Sequence, residues 1–192
     1  TTGNGVFDDA SLQSPTVTNA ADGDVFTVMI TDGNTCMSSS TTTVVVDENP
    51  TPSMAGMDQS QCNDGDFTLA GNTPTVGTGM WMVVSGTATI TTPSSPTSGV
   101  TGVPVGTSAI LSWTISTTGP CPDSVDEVEL TNNDLPTANA TNNGPICMGA
   151  DLVLNETGGD ATSWSWSTTG NGVFDDASLQ SPTVTNAADG DV

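Results

Sequence analysis

Residues 1–25 (TTGNGVFDDASLQSPTVTNAADGDV) recur letter for letter as residues 168–192, so the chain carries one period of a 167-residue tandem repeat and the start of the next. It reads as a window on a longer array. A period of that size holds one or two domains, and near-identical copies point to a protein that spans distance or presents many equal surfaces.

A weaker repeat lies inside the first. Cys36 to Cys62 is 26 residues and Cys121 to Cys147 is again 26, while Cys36 to Cys121 and Cys62 to Cys147 are both 85. Flanking residues keep that register: Phe26, Val28 and Ile30 precede Cys36 as Leu111, Trp113 and Ile115 precede Cys121. Val44 and Val46 match Val128 and Leu130, Pro50 matches Pro136, Trp81 matches Trp166, and Ser14-Pro15-Thr16 matches Ser95-Pro96-Thr97. Two related modules therefore alternate, each the size of one small domain. The expected division is 1–49 as the C-terminal part of a first module, 50–134 as a complete second module, and 135–192 as the N-terminal part of the next copy of the first.

Short alternating runs rich in Val, Ile, Thr and Trp, broken every eight to twelve residues by Gly, Pro, Asn, Asp and Ser, predict an all-β fold. Strands are expected at 67–70, 80–84, 87–90, 98–101, 109–115 and 126–130, with a leading strand near 52–55. Six or seven strands in about 84 residues suggest a β-sandwich. Leu111, Trp113 and Ile115 should face inward, and Ile110, Ser112 and Thr114 outward. Trp81, Trp113 and Trp166 are the expected core anchors.

Modules this small bury little apolar surface, so covalent or neighbour support is expected. Cys36, Cys62, Cys121 and Cys147, with no C-x-x-C pair and no histidine, argue for disulfides formed outside the cytoplasm and against a zinc site. Two pairings fit the spacing. Cys62 joins Cys121 within a module and Cys147 joins the Cys36 of the next copy, or the bridges cross between adjacent modules and stiffen the array.

The chain has no Lys, Arg or His against 22 Asp and Glu. Setting aside the duplicated Asp175, Asp176, Asp189 and Asp191 leaves 18 negative charges in each copy. Such an array repels itself and extends, and it offers nothing to bind a nucleic-acid backbone. Asp8, Asp9, Asp22, Asp24, Asp64 and Asp66 are candidate calcium ligands, although nothing matches an EF-hand loop and the same residues suit hairpin turns. No other cofactor is expected. Catalysis is not expected either, since a nucleophile would lack a His or Lys base and a small module leaves little room for a carboxylate cleft.

Trp164 and Trp166, two residues apart, lie on one face of a strand. Trp166 aligns with the core Trp81, which leaves Trp164 as the candidate ligand-contacting ring. Asn139 and Asn155 head glycosylation sequons.

The run from Pro136 to Ile146 and Cys147, the segment from Gly79 through Trp81 to Gly86, and the segment from Leu111 through Trp113 and Cys121 to Leu130 resemble PKD-like, immunoglobulin-like repeats. These are the modules of giant surface adhesins and gliding-motility filaments of Bacteroidetes-type bacteria. The resemblance implies tandem β-sandwiches, two per period, exported to the cell surface as stalk or fibre. Asp123-Ser124-Val125 also resembles the short O-glycosylation motif of those bacteria, with Ser124 as acceptor. The chain departs from the pattern in lacking every basic residue.

The expected function is therefore a stiff, acidic, disulfide-supported spacer in an extracellular filament, with adjacent copies as partners and glycans as a further candidate. One alternative is an adhesin module that binds carbohydrate or a host surface through Trp164 and the acidic loops. Another is a filament of short subunits in which strands are exchanged between neighbours.

Overall fold

The structure, a computed structural model, describes residues 1–190; Asp191 and Val192, the last two of the duplicated segment, lie outside them. It is all-β, with no helix among the described residues. The chain divides into two compact units, one spanning Thr1–Asn132 and the other starting at Asn133.

The first unit opens with two hairpins, β1 (Val6–Phe7) with β2 (Val17–Thr18) and β3 (Val25–Thr31) with β4 (Met37–Thr43). Seven further strands follow: β5 (Gln59–Cys62), β6 (Phe67–Thr68), β7 (Thr78–Ser85), β8 (Thr89–Ile90), β9 (Gly99–Thr101), β10 (Thr107–Ser116) and β11 (Ser124–Asn133). They form a four-stranded sheet, β5-β11-β10-β7, and a three-stranded sheet, β6-β9-β8. One core joins the two: Leu111, Trp113, Ile115, Val128 and Leu130 from the first meet Phe67, Leu69 and Val100 from the second. Sheets that each bury one face against the other make a β-sandwich.

The alternation expected along β10 holds for Leu111, Trp113 and Ile115, each 0% exposed. Ser112, expected to face outward, is also buried. It sits on the central strand, flanked by β11 and β7, where neighbouring side chains shield the outer face too.

Residues 52–55, expected as a strand, are not one. Pro52 has no N–H to give a ladder and Gly56 takes φ +93°, so the regular pairing breaks there. Side chains hold this stretch to β11 instead. Ser53 N–H donates to Ser124 Oγ (2.8 Å), Ala55 N–H to Asp126 Oδ2 (2.7 Å), and Glu129 N–H to Asp58 Oδ1 (2.9 Å). The partners climb together, so this leading segment runs parallel to β11, and the short strand β5 follows at Gln59–Cys62.

The second unit holds β12 (Ala140–Asn142), β13 (Leu152–Glu156), β14 (Val173–Phe174) and β15 (Thr183–Thr185) in one sheet of order β12-β13-β15-β14. Its last three strands repeat the order β6-β9-β8 of the sandwich. Equivalent backbone bonds confirm the correspondence: Leu154 N–H donates to Pro182 O as Leu69 N–H donates to Ser98 O, and Trp166 N–H to Ala177 O as Trp81 N–H to Pro93 O.

The hairpin within the duplicated segment forms the same way in both copies. Val6 faces Thr18 and Phe7 faces Val17, as Val173 faces Thr185 and Phe174 faces Val184. Thr16 N–H donates to Asp8 Oδ1 and Thr183 N–H to Asp175 Oδ1, both at 2.9 Å. Local side-chain-to-backbone bonds thus suffice to set this hairpin, whatever follows it.

Candidate functional site

The candidate calcium ligands turn back on their own backbone. Asp8 accepts the N–H groups of Asp9 and Thr16, and Asp9 accepts both the N–H and the hydroxyl of Ser11. Those bonds from Ser11 favour the charged form and hold the Asp9 carboxyl below its ordinary value; Ser178 does the same to Asp176. Asp22 accepts Val46 N–H and Asp64 accepts Asp66 N–H. Asp24 is buried and gathers three N–H groups, from Asn4, Gly5 and Ala21. Asp66 shares the Asp64 turn without joining a cluster. Among the described residues no group of three or more His, Cys, Asp or Glu stands together in a way that could hold a metal ion.

All four cysteines are free thiols in this structure; Cys36, Cys62 and Cys147 are exposed and Cys121 is half-buried. Cys121 lies at the junction between residues 1–49 and the sandwich, with its Sγ donating to Asp47 O at 3.4 Å. Cys62 lies at the opposite pole. Just beyond it, Asp64 N–H donates to the side chain of Asn132, which also donates to Val103 O and sits at the far end of β11. Ten residues of strand separate the two poles, roughly 30 Å at the usual rise. A disulfide needs Cα atoms within about 7 Å, so this sandwich holds Cys62 and Cys121 too far apart to bridge each other.

The glycosylation candidates differ in access. Ser124 begins β11 with its hydroxyl already bonded to Ser53 N–H and 3.0 Å from Ser53 Oγ. Asn139 is exposed, its Nδ2 donating to Thr157 Oγ1 (2.8 Å), and Asn155 is half-buried with its side-chain oxygen accepting from Ser181 Oγ (2.6 Å).

Trp164 is half-buried, and so is Trp166, which was expected as a core anchor. Both line an open groove that also includes Pro136, Ala140 and Glu156. Trp166 donates Nε1 to Leu179 O (2.9 Å), and Trp164 points Nε1 at Glu156 Oε2 (3.4 Å). Glu156 is the residue the sequence analysis passed over. Its carboxylate accepts the N–H groups of Asn139 and Gly158, which lower its pKa, against burial and with a smaller contribution from Trp164. The overlooked signal was the spacing of 85: it places Glu156 opposite Gly71 and Trp164 opposite Gly79.

No protein-family model matches the chain, and no curated protein is significantly similar to it.

Proposed function

We propose that the chain is a structural spacer repeat of an extracellular filament or adhesin stalk, made of tandem immunoglobulin-like modules of the PKD-like kind. The observation that carries this reading is the 25-residue segment repeated letter for letter and folded twice into one hairpin, since a folded unit repeated unchanged suits a role in which geometry and number matter. The leading segment parallel to the last strand, with the strands divided between β5-β11-β10-β7 and β6-β9-β8, supports the immunoglobulin-like form. The acidic surface suits an exposed location and keeps neighbouring fibres apart. Glycans on Asn139 would add to that layer.

The mass of native material under denaturing conditions, with and without reductant, tests the reading. Masses of many repeat lengths that survive reduction are expected; fragments near the 19.3 kDa of this chain would overturn the covalent array. A second reading, carbohydrate binding, is favoured by the half-buried Trp164 on its open groove and predicts saturable binding of soluble glycans that is lost in Trp164→Ala.

A further inference from the structure

Two open hollows lie in the two incomplete modules. One is on residues 1–49, over Phe7, Leu12, Phe26, Val28 and Ile30; the other is the groove of Trp164 and Trp166. We infer that they are the two halves of a single core, and that the occupant of the Trp164 groove is the β3–β4 hairpin of a second copy of this chain.

Topology supplies the first reason. The second unit has the sheet β12-β13-β15-β14, whose last three strands are the counterpart of β6-β9-β8, but no described counterparts of β10 and β11 pack on it. Those counterparts are β3 and β4. Val28 faces Ser40 and Ile30 faces Ser38, just as Trp113 faces Asp126 and Ile115 faces Ser124. In the sandwich, Trp113 and Ile115 are fully buried; on β3, Val28 and Ile30 are 58% and 63% exposed. An apolar strand face that the fold elsewhere buries completely is left open here.

Side-chain volume supplies the second. In the sandwich Trp113 lies over two glycines: a Cβ on Gly79 would fall on its indole ring, and one on Gly71 would come within 3.3 Å of it. The other module changes all three positions together. Gly79 becomes Trp164, Gly71 becomes Glu156, and Trp113 becomes Val28. The large ring has moved from the hairpin to the facing segment, which was expected as a strand and is not one here, and Glu156 receives its Nε1 as Asn72 receives that of Trp113. Cores are packed to near-constant density, so the small Val28 is the partner that Trp164 requires. The docked register follows the sandwich, in which Trp113 faces Trp81 and Ile115 faces Gly79: Val28 lies opposite Trp166 and Ile30 opposite Trp164. Trp164 is thereby a core residue rather than a ligand platform.

The proposal rests on the repeat reading only in taking the second copy as the natural neighbour; the association itself is read on this chain alone. Sedimentation of the purified 192-residue chain from micromolar to millimolar concentration should show head-to-tail oligomers. Val28→Trp, a change at an exposed site, should weaken association at least about tenfold, and Trp164→Gly should weaken it as well. The pair Val28→Trp with Trp164→Gly, which transplants the Gly79–Trp113 arrangement, should restore it to within a few-fold. Circular dichroism of each variant checks that its strands persist. A chain that stays monomeric, a Val28→Trp variant that associates normally, or a double variant no better than the singles would overturn the proposal. So would glycan binding lost in Trp164→Ala with self-association unchanged. Failure of the native array to show high mass would leave this result standing, since oligomers of separate chains use the same contact.

Discussion

The indole rings of Trp81 and Trp113 lie 5.0 Å apart at 36° in the middle of the sandwich, and each gives its Nε1 to a backbone carbonyl, Trp81 to Pro96 and Trp113 to Asn72. Neighbouring strands β7 and β10 place the two directly opposite each other. With no Tyr and only four Phe in the chain, this pair is the largest apolar mass the module has, and its polar edges are both satisfied. Trp113→Ala should therefore cost about 3–5 kcal/mol, read as a fall in the denaturation midpoint. Trp113→Phe should cost less, with the deficit set by the lost bonds to Asn72.

Gly79 should tolerate nothing larger while Trp113 is present. Gly79→Ala is expected to destabilise the chain by about 1–3 kcal/mol through overpacking. Combining it with Trp113→Val, the residue at the equivalent position of β3, should recover most of the overpacking loss at the expense of the lost ring. Thermal unfolding of the single and double variants measures the coupling; strict additivity would show that the two side chains do not meet.

Asp24 should act as a local keystone. Three backbone N–H groups converge on its buried carboxylate, so Asp24→Ala should cost about 1–3 kcal/mol and release the amides of Asn4, Gly5 and Ala21 to fast hydrogen exchange. Unchanged protection at those amides would show that the turn holds without the carboxylate.

Glu156 predicts an acid limit for the second unit. Its pKa lies below the ordinary 4.5 because Asn139 and Gly158 bond the charged form. A depressed folded-state value means that the stabilisation is fully present above the unfolded value and fades as the pH falls through the lowered one. The amides of Asn139 and Gly158 should stay protected at neutral pH and lose protection below pH 4.5. Glu156→Gln should remove that pH dependence. Asp9 and Asp176, depressed by Ser11 and Ser178, should titrate alike in the two copies of the hairpin.

With Cys62 and Cys121 at opposite poles of the sandwich, the pairing that remains is the one that crosses between adjacent modules. Oxidation by a disulfide reagent, each bridge passing two electrons and two protons to it, should yield Cys62–Cys36 and Cys147–Cys121 links between copies. Peptide mapping without reduction, using an Asp-directed protease since the chain has no tryptic site, distinguishes these from a Cys62–Cys121 link. That link would contradict the strand order of the sandwich.

The all-β character, the middle residues of β7 and β10, and the inward set Leu111, Trp113 and Ile115 were legible in the sequence, because alternation along a strand fixes which side chains share a face. The ends of elements were less so. The stretch 52–55 has strand-like residues, yet Pro52 and Gly56 hand its hydrogen bonds to Ser124, Asp126 and Asp58, and β11 grows to ten residues by pairing along the full length of β10. The acids at Asp8, Asp9 and Asp24 carried an ion-site signal and a turn signal in the same letters, and in the structure they bond backbone.

By itself the sequence determined the repeated 25 residues, the 85-residue spacing of the cysteines and the absence of any Lys, Arg or His to pair with its carboxylates, since these depend on identity and spacing alone. Only the tertiary structure decided that Cys62 and Cys121 lie at opposite poles and that Trp164 stands where Trp113 would need a glycine. Both depend on which strands become neighbours across a sheet, and that is set by burying apolar faces from distant parts of the chain against one another.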